Sequence, residues 1–424
     1  MRKMIKMSMA AVMMMGVGAV SAQAEGTDIL TNIKANGQVR ARYEMVDTDN
    51  TVKNANAFTN RLTLGVGADL LGTDWLSAYA EMTDVRNLND NYNSQVNGET
   101  AHNAVVDSEQ TRVTQAYIDM KKGKTKLRIG RQGLNLDNMR FVGTVDWRQM
   151  PQTFDAYTLT DNTVENLNLF ASYVTQINKV FHEDLATGNW DTRTLLLNAS
   201  YKVMPELKVT AYDYMIGAGT GVTTTAGGSD TYGIALTGDV AVSDALKLNY
   251  RAEYAKQTDA SMENSGVDTS ANVDADYMNF ELGANMSGIL VGAQYEVLSG
   301  TNGTDGNTAF STPLATLHAH NGWADMFLAT PTAGLEDMSL WVGYTSKDLG
   351  LLKAIYHDYS SDVGSVDFGT ELDVIYTRAI PNVNNLTGML KFADYNGETE
   401  APTAALRTDT TKFWAMLDYK FTTK

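Results

Sequence analysis

Between Lys126 and Tyr157 the chain reads KLRIGRQGLNLDNMRFVGTVDWRQMPQTFDAY, setting Arg128, Arg131, Arg140 and Arg148 against Asp137, Asp146 and Asp155 in a protein of formal net charge -17. Guanidinium groups at this density bind anions or fork onto carboxylates opposite. Leu127 and Ile129 alternate with Arg128 and Gly130 as in a strand, and a second strand pattern resumes at Thr153, so the arginines occupy and flank a long connection. Phe141, Val142, Val145 and Trp147 are too apolar for a solvated loop and imply one folded back against a wall.

Other chemistry is sparse. Cysteine is absent, which excludes disulfides, thiolate metal sites and a cysteine nucleophile. Of five histidines only His318 and His320 are closely spaced, and without a third ligand type beside them they read as structural. His357 adjoins Asp358, but neighbours on a strand point to opposite faces, so that pair forms no catalytic dyad. Gly300, Gly303 and Gly306 precede no helix pattern and read as a flexible loop, not a phosphate cradle. No basic, aromatic-interleaved patch suggests nucleic acid. Asp47-Thr48-Asp49-Asn50 has the oxygens for a calcium ion, as many acidic loops do without consequence; no cofactor and no metal site is expected.

The elements that must position these residues are strands. Residues 1–24 have a basic start (Arg2, Lys3, Lys6), an apolar run from Met7 to Val20 and a small-x-small site at Ala22-Gln23-Ala24, a secretory signal peptide whose removal takes the charge from -17 to -20 by losing those three cations. Residues 25–424 then form one domain. It has 20 Tyr but 6 Pro, and beyond the leader no apolar run is long enough for a membrane helix. Leu62, Leu64, Val66 and Ala68 alternate with Arg61, Thr63, Gly65 and Gly67; Leu246, Leu248, Tyr250 and Ala252 alternate with Lys247, Asn249, Arg251 and Glu253.

Such alternation predicts strands near 38–46, 58–70, 75–84, 111–120, 125–132, 152–160, 165–175, 192–202, 206–216, 230–239, 245–257, 274–286, 289–298, 337–346, 350–360, 367–378, 386–395 and 411–421, eighteen in all. Short turns alternate with longer loops near 47–57, 85–110, 133–151, 176–191, 217–229, 258–273, 299–336 and 396–410, with only 361–366 brief. Sorting by parity implies an all-β, transmembrane antiparallel barrel of 18 strands in a Gram-negative outer membrane, with short periplasmic turns and long extracellular loops. Phe413, Ala415, Leu417, Tyr419 and Phe421 give the last strand an aromatic outer stripe suited to insertion.

Ile129-Gly130-Arg131-Gln132, Arg140-Phe141-Val142-Gly143, Trp147-Arg148-Gln149 and Gln152-Thr153-Phe154-Asp155-Ala156 resemble the alginate-export family of outer-membrane porins. So do Asn321-Gly322-Trp323-Ala324-Asp325, Pro331 and Gly334-Leu335-Glu336-Asp337 ahead of the strand at Leu340. The resemblance implies an eighteen-stranded barrel and places the arginines of the first block toward the pore or its constriction. Export of an acidic polysaccharide would need a basic conduit throughout. The expected polar face instead mixes Arg40, Arg42, Arg61, Arg128, Lys208 and Arg251 with Glu44, Glu81, Asp119, Glu253, Glu281 and Glu296. The expectation is therefore passive diffusion of small hydrophilic or anionic solutes through a barrel set in outer-membrane lipid, with polysaccharide export and a surface-anchor or adhesion barrel as rivals. Monomer and homo-oligomer are both compatible. The expected path is Arg40, Arg42, Arg61, Arg128, Arg131, Arg140, Arg148 and Arg251, narrowed by the 133–151 loop, with Asp155 as a counter-charge.

Overall fold

Period-two alternation leaves every strand one apolar and one polar face, and a closed ladder is the arrangement that pairs all the backbone groups while turning the apolar faces to lipid. The computed structural model describes residues 29–217, 228–262, 272–301 and 308–423; the expected leader lies outside them. Its strands are β1 (Leu30–Thr48), β2 (Ala55–Leu70), β3 (Leu76–Asn87), β4 (Gln110–Lys122), β5 (Thr125–Gln132), β6 (Thr153–Asp161), β7 (Leu167–Asn178), β8 (Asn189–Met204) and β9 (Leu207–Ile216). They continue with β10 (Ser229–Ala241), β11 (Leu246–Asp259), β12 (Asp274–Met286), β13 (Ile289–Leu298), β14 (Leu335–Ser346), β15 (Gly350–Ser360), β16 (Asp367–Ala379), β17 (Leu386–Gly397) and β18 (Thr410–Thr422). Each pairs antiparallel with its neighbours in sequence, and β1 pairs with both β2 and β18, which closes the barrel. All eighteen expected strands are present. The largest change is at β1, which starts at Leu30 and not near 38, because it keeps pairing with β2 across a register shift between Thr31 and Lys34.

Connections sort by end as expected. A two-residue turn such as Ser287-Gly288, both at positive φ, has the backbone twist of a tight hairpin. At the opposite end lie the 88–109, 133–152 and 299–334 loops. That end is where the buried core sits: Phe154, Tyr212, Tyr214, Tyr277, Tyr359, Phe368, Tyr395 and Trp414 stand at the loop ends of their strands and pack with Phe141, Phe310, Leu314 and Phe327 of the loops. Phe141 is at its centre, 5.2 Å from Tyr277 and 5.3 Å from Tyr212 between ring centroids. The lumen is therefore divided into a loop-side half narrowed by the folded-in loops and a turn-side half lined by polar side chains.

Outward-facing Phe280, Leu282, Leu340, Val342, Leu390 and Leu417 are exposed as the lipid surface. On β2, Leu64 shares the face of the exposed Phe58, whereas Ser77 on β3 shares the lumen face of Tyr79 and Glu81. Leu64→Arg is expected to destabilise the folded barrel by roughly 2–4 kcal/mol near the midplane, while Ser77→Arg, between Asp69 and Asp119 in register, leaves it unchanged. Denaturant titration followed by gel mobility of unboiled protein checks both; equal damage would mean that the faces are assigned wrongly.

Candidate functional site

The apolar residues of the 133–152 loop pull it into the lumen, where it joins the 299–334 loop. Gly143 N–H donates to Leu314 O (2.9 Å), Thr316 N–H to Met139 O (3.0 Å), and the Gln152 amide to the carbonyls of Gly143 and Leu314. Asp137, Met139 and Val145 adopt positive φ. For β-branched Val145 this is strained, and its N–H is held by Thr316 Oγ1 at 3.2 Å.

Burying this strap buries its charges, and each is answered from the wall or the neighbouring loops. Arg140, 1% exposed, forks onto Glu296 of β13 at 2.9 and 3.2 Å and also donates to Asn321. Tyr277 donates to the same carboxylate at 2.6 Å. Arg148 bridges Glu44 of β1 and Asp325, both at 3.2 Å. Asp146 accepts from Arg61 (2.6 Å) and Arg40 (3.4 Å), and Arg40 also reaches Asp418 of β18. Arg42 pairs with Asp107 and Glu44. Asp137 receives Arg251 at 2.6 Å, which also pairs with Glu253. Trp323 N–H and Ala324 N–H donate to Asp373 and Glu371 of β16. Gly322, at φ +83, is where only a glycine fits: a Cβ there would lie 2.2 Å from the Tyr359 hydroxyl and 2.4 Å from Glu371.

One centre ties both loops to the wall. Lys391 of β17 holds its ammonium 3.6 Å from the Trp323 ring centroid and 4.3 Å from that of Trp147, with Trp414 of β18 at 5.6 Å. Its Nζ donates to His318 Nε2 at 2.8 Å, while His318 Nδ1 donates to Asp325 at 2.7 Å and the imidazole stacks on Trp147 at 4.2 Å. These partners require a neutral His318 protonated at Nδ1. Burial agrees, pushing both His318 and His320 down to about 3. Burial alone would raise the Asp325 carboxyl, but His318, Lys412 and Arg148 around it hold it well below the carboxylate range.

Of the expected path residues, Arg40, Arg42, Arg61, Arg140, Arg148 and Arg251 converge on the inward-folded loops through these pairs. Arg128 lies toward the turn end, paired with Asp119 at 2.7 Å and stacked 3.6 Å over Tyr117. Arg131 and Asp155 need correction. On β5 the lumen positions are Arg128, Gly130 and Gln132, so Arg131 has the parity of Leu127 and Ile129; it forks onto Asp155 at 2.7 and 2.9 Å on the outward face, opposite Ala116. Sequence reasoning put Lys391 and Glu296 on the polar face but did not bring them together with Asp325 and Trp414 as a site. The weak signal was Trp147 and Trp323, large apolar residues in two loops otherwise suited to water.

A family model described as alginate export matches residues 32–312. Among solved structures, OccAB2 of Acinetobacter baumannii superposes with a TM-score of 0.71 at 16% identity, over 94% of this chain and 100% of that one. OccAB4 of the same organism gives 0.67 at 15% identity, over 93% and 99%. OpdK of Pseudomonas aeruginosa, solved with vanillate, gives 0.69 at 13%, over 92% and 99%. Identities this low carry the fold alone. No curated protein matches the chain.

Two outcomes follow from the burial of charge. Arg140→Leu leaves the Glu296 carboxylate without its cation, with only Tyr277 and amide donors on it, and loss of one partner of a buried ion pair costs about 3–5 kcal/mol. The 133–152 loop should then become cleavable by external protease in a barrel that is still folded, whereas Arg128→Leu should leave it resistant. The second outcome concerns pH. A released loop takes up protons on His318 and His320 below about pH 6.5, and the docked loop only near 3. Docking is therefore complete above 6.5 and weakens as pH falls through that window, by on the order of a few kcal/mol. Protease accessibility at pH 7 against pH 4 should show it, and His318→Gln/His320→Gln should flatten the profile.

Proposed function

The chain belongs to the alginate-export family, and we propose that it is an outer-membrane porin passing small hydrophilic solutes by passive diffusion past a constriction made by the 133–152 and 299–334 loops. The observation that carries this reading is charge compensation inside a wide barrel. Eighteen strands enclose a lumen broad enough for water, and the arginines that would attract a polyanion are engaged: Arg40 and Arg61 by Asp146, Arg42 by Asp107, Arg140 by Glu296, Arg148 by Glu44 and Asp325. A conduit for an acidic polysaccharide needs free positive charge along its length, so export is the weaker reading. We assign no catalytic step to these residues.

In this reading Arg40, Arg42, Arg61, Arg140, Arg148 and Arg251 surround the constriction, Arg128 lines the wider turn side, and the Arg131–Asp155 pair contributes little. Asp146 is the group to probe, because its side chain is 48% exposed and it neutralises two arginines. A unit charge about 4 Å from a passing ion is worth ~1 kcal/mol in bulk water and ~4 kcal/mol at an effective dielectric near 20. Screening confines that influence to about 8–10 Å at physiological salt.

Reversal potentials across a salt gradient in planar bilayers provide the test. Wild type should show little preference between anions and cations, Asp146→Asn a shift toward anions, and Arg40→Gln/Arg61→Gln a shift toward cations. A bilayer that stays silent with correctly folded barrels would favour the anchor reading and end the porin one.

A further inference from the structure

Beside the Arg140–Glu296 pair, the lumen wall carries a cavity of about 140 Å³ between β12–β15 and the 319–323 segment of the inward-folded loop, whose Asn321 joins the two. Its floor is Trp341 of β14. The indole packs on β13 over Gly292, where a Cβ would sit 2.1 Å from the ring, and the Lys353 ammonium stands over the ring 4.8 Å from its centroid. A glycine opposite a tryptophan on a lumen-facing row is what allows that close approach.

The rim offers hydrogen bonds of both senses that the protein does not use. Gln294, Ser339 and the Trp341 indole N–H make no side-chain hydrogen bond among the described residues, and Lys353 has no hydrogen bond or ion pair there. Among the described residues Glu281 accepts only from Asn249, at 3.3 Å. His320 Nε2 is buried and without a partner. A buried nitrogen beside a polar cavity is satisfied by a water or by a ligand hydroxyl that takes its place. Lys353, on a flexible four-carbon stem, is the group that a ring stacking on Trp341 displaces.

Resting on the porin reading, we propose that this cavity is a solute subsite on the diffusion path, and that its ligand is a neutral polyhydroxylated ring, a monosaccharide. The C–H face of such a ring lies on the Trp341 indole. Its hydroxyls, each donor and acceptor, meet Glu281 and Gln294 on one side and Ser339, Lys353 and His320 on the other. The lining sets Glu281 against Lys353 and pairs Asp337 with His357 at 2.8 Å, so no charge is left over to select an ion, while a ring of donors and acceptors suits hydroxyls.

The test uses the full-length protein and glucose as the probe. In proteoliposomes the initial flux of labelled glucose should saturate with concentration, and glycerol flux should not. Trp341→Ala should raise the half-saturation by about tenfold, the effect of losing one aromatic contact. Gly292→Ala, which lifts the indole off the wall, should act in the same direction, and Trp341→Phe should recover most of the loss. Independently of transport, glucose should change the tryptophan emission of detergent-solubilised wild type and not of Trp341→Phe. Glucose flux that stays linear and indifferent to Trp341→Ala, with no emission change, overturns the subsite and leaves the channel standing. Absence of flux for every solute, with the emission response intact, removes the channel reading and keeps the subsite. A response to glycine in place of glucose overturns the ligand class.

Discussion

The ammonium of Lys391 is the point on which the interior of this barrel depends. It is buried, and its polar contacts are the faces of Trp147, Trp323 and Trp414 and one imidazole nitrogen. A desolvated cation is expensive unless its surroundings answer it, and here the answer comes from three separate segments at once: Trp147 from one loop, Trp323 and His318 from the other, Trp414 from the wall. Lys391 therefore holds the loops to each other as much as to the strand that carries it. The His318 to Asp325 hydrogen bond extends the same chain to Arg148 and Lys412, and through them to β1 and β18.

The wall carboxylates follow from this arrangement. Glu44, Glu296, Glu371 and Asp373 would be costly in the loop-side half if they stood alone, and each receives a loop donor: Arg148, Arg140, and the backbone N–H groups of Ala324 and Trp323. A mixed-sign lumen face in the sequence is thus partly the imprint of loops that dock on it. The unengaged groups, such as Gln294, Ser339 and Lys353, lie outside those contacts, and there the wall is available to a solute.

The strands were legible because one face meets lipid and the other water or protein, so a period of two is enforced residue by residue and a slip of one would invert the whole strand. Turn and loop lengths gave the ends of the barrel for the same local reason. The inward fold of the 133–152 loop was legible from Phe141, Val142 and Trp147, which need a surface. The partners were not, because Arg140 meets Glu296 and Arg148 meets Asp325 across more than 150 residues, and nothing local announces such a contact. Arg131 shows a different failure. Its parity with Leu127 and Ile129 was visible, but its charge and its place among arginines drew it toward the pore, whereas Asp155 beside it on β6 supplies a partner on the outer face.

Backbone pairing and loop docking are separate sources of order in this molecule. The ladder closes through β1 and β18 without help from the loops, so its hydrogen bonds stay satisfied whether or not the lumen is filled. The loops are held by ion pairs, two neutral histidines and an aromatic box, all of which respond to pH and to single side-chain changes far more than a membrane ladder does. The barrel can therefore keep its wall while its bore is altered, and the residues that tune passage are those that hold the 133–152 and 299–334 loops against β1, β13, β16 and β17.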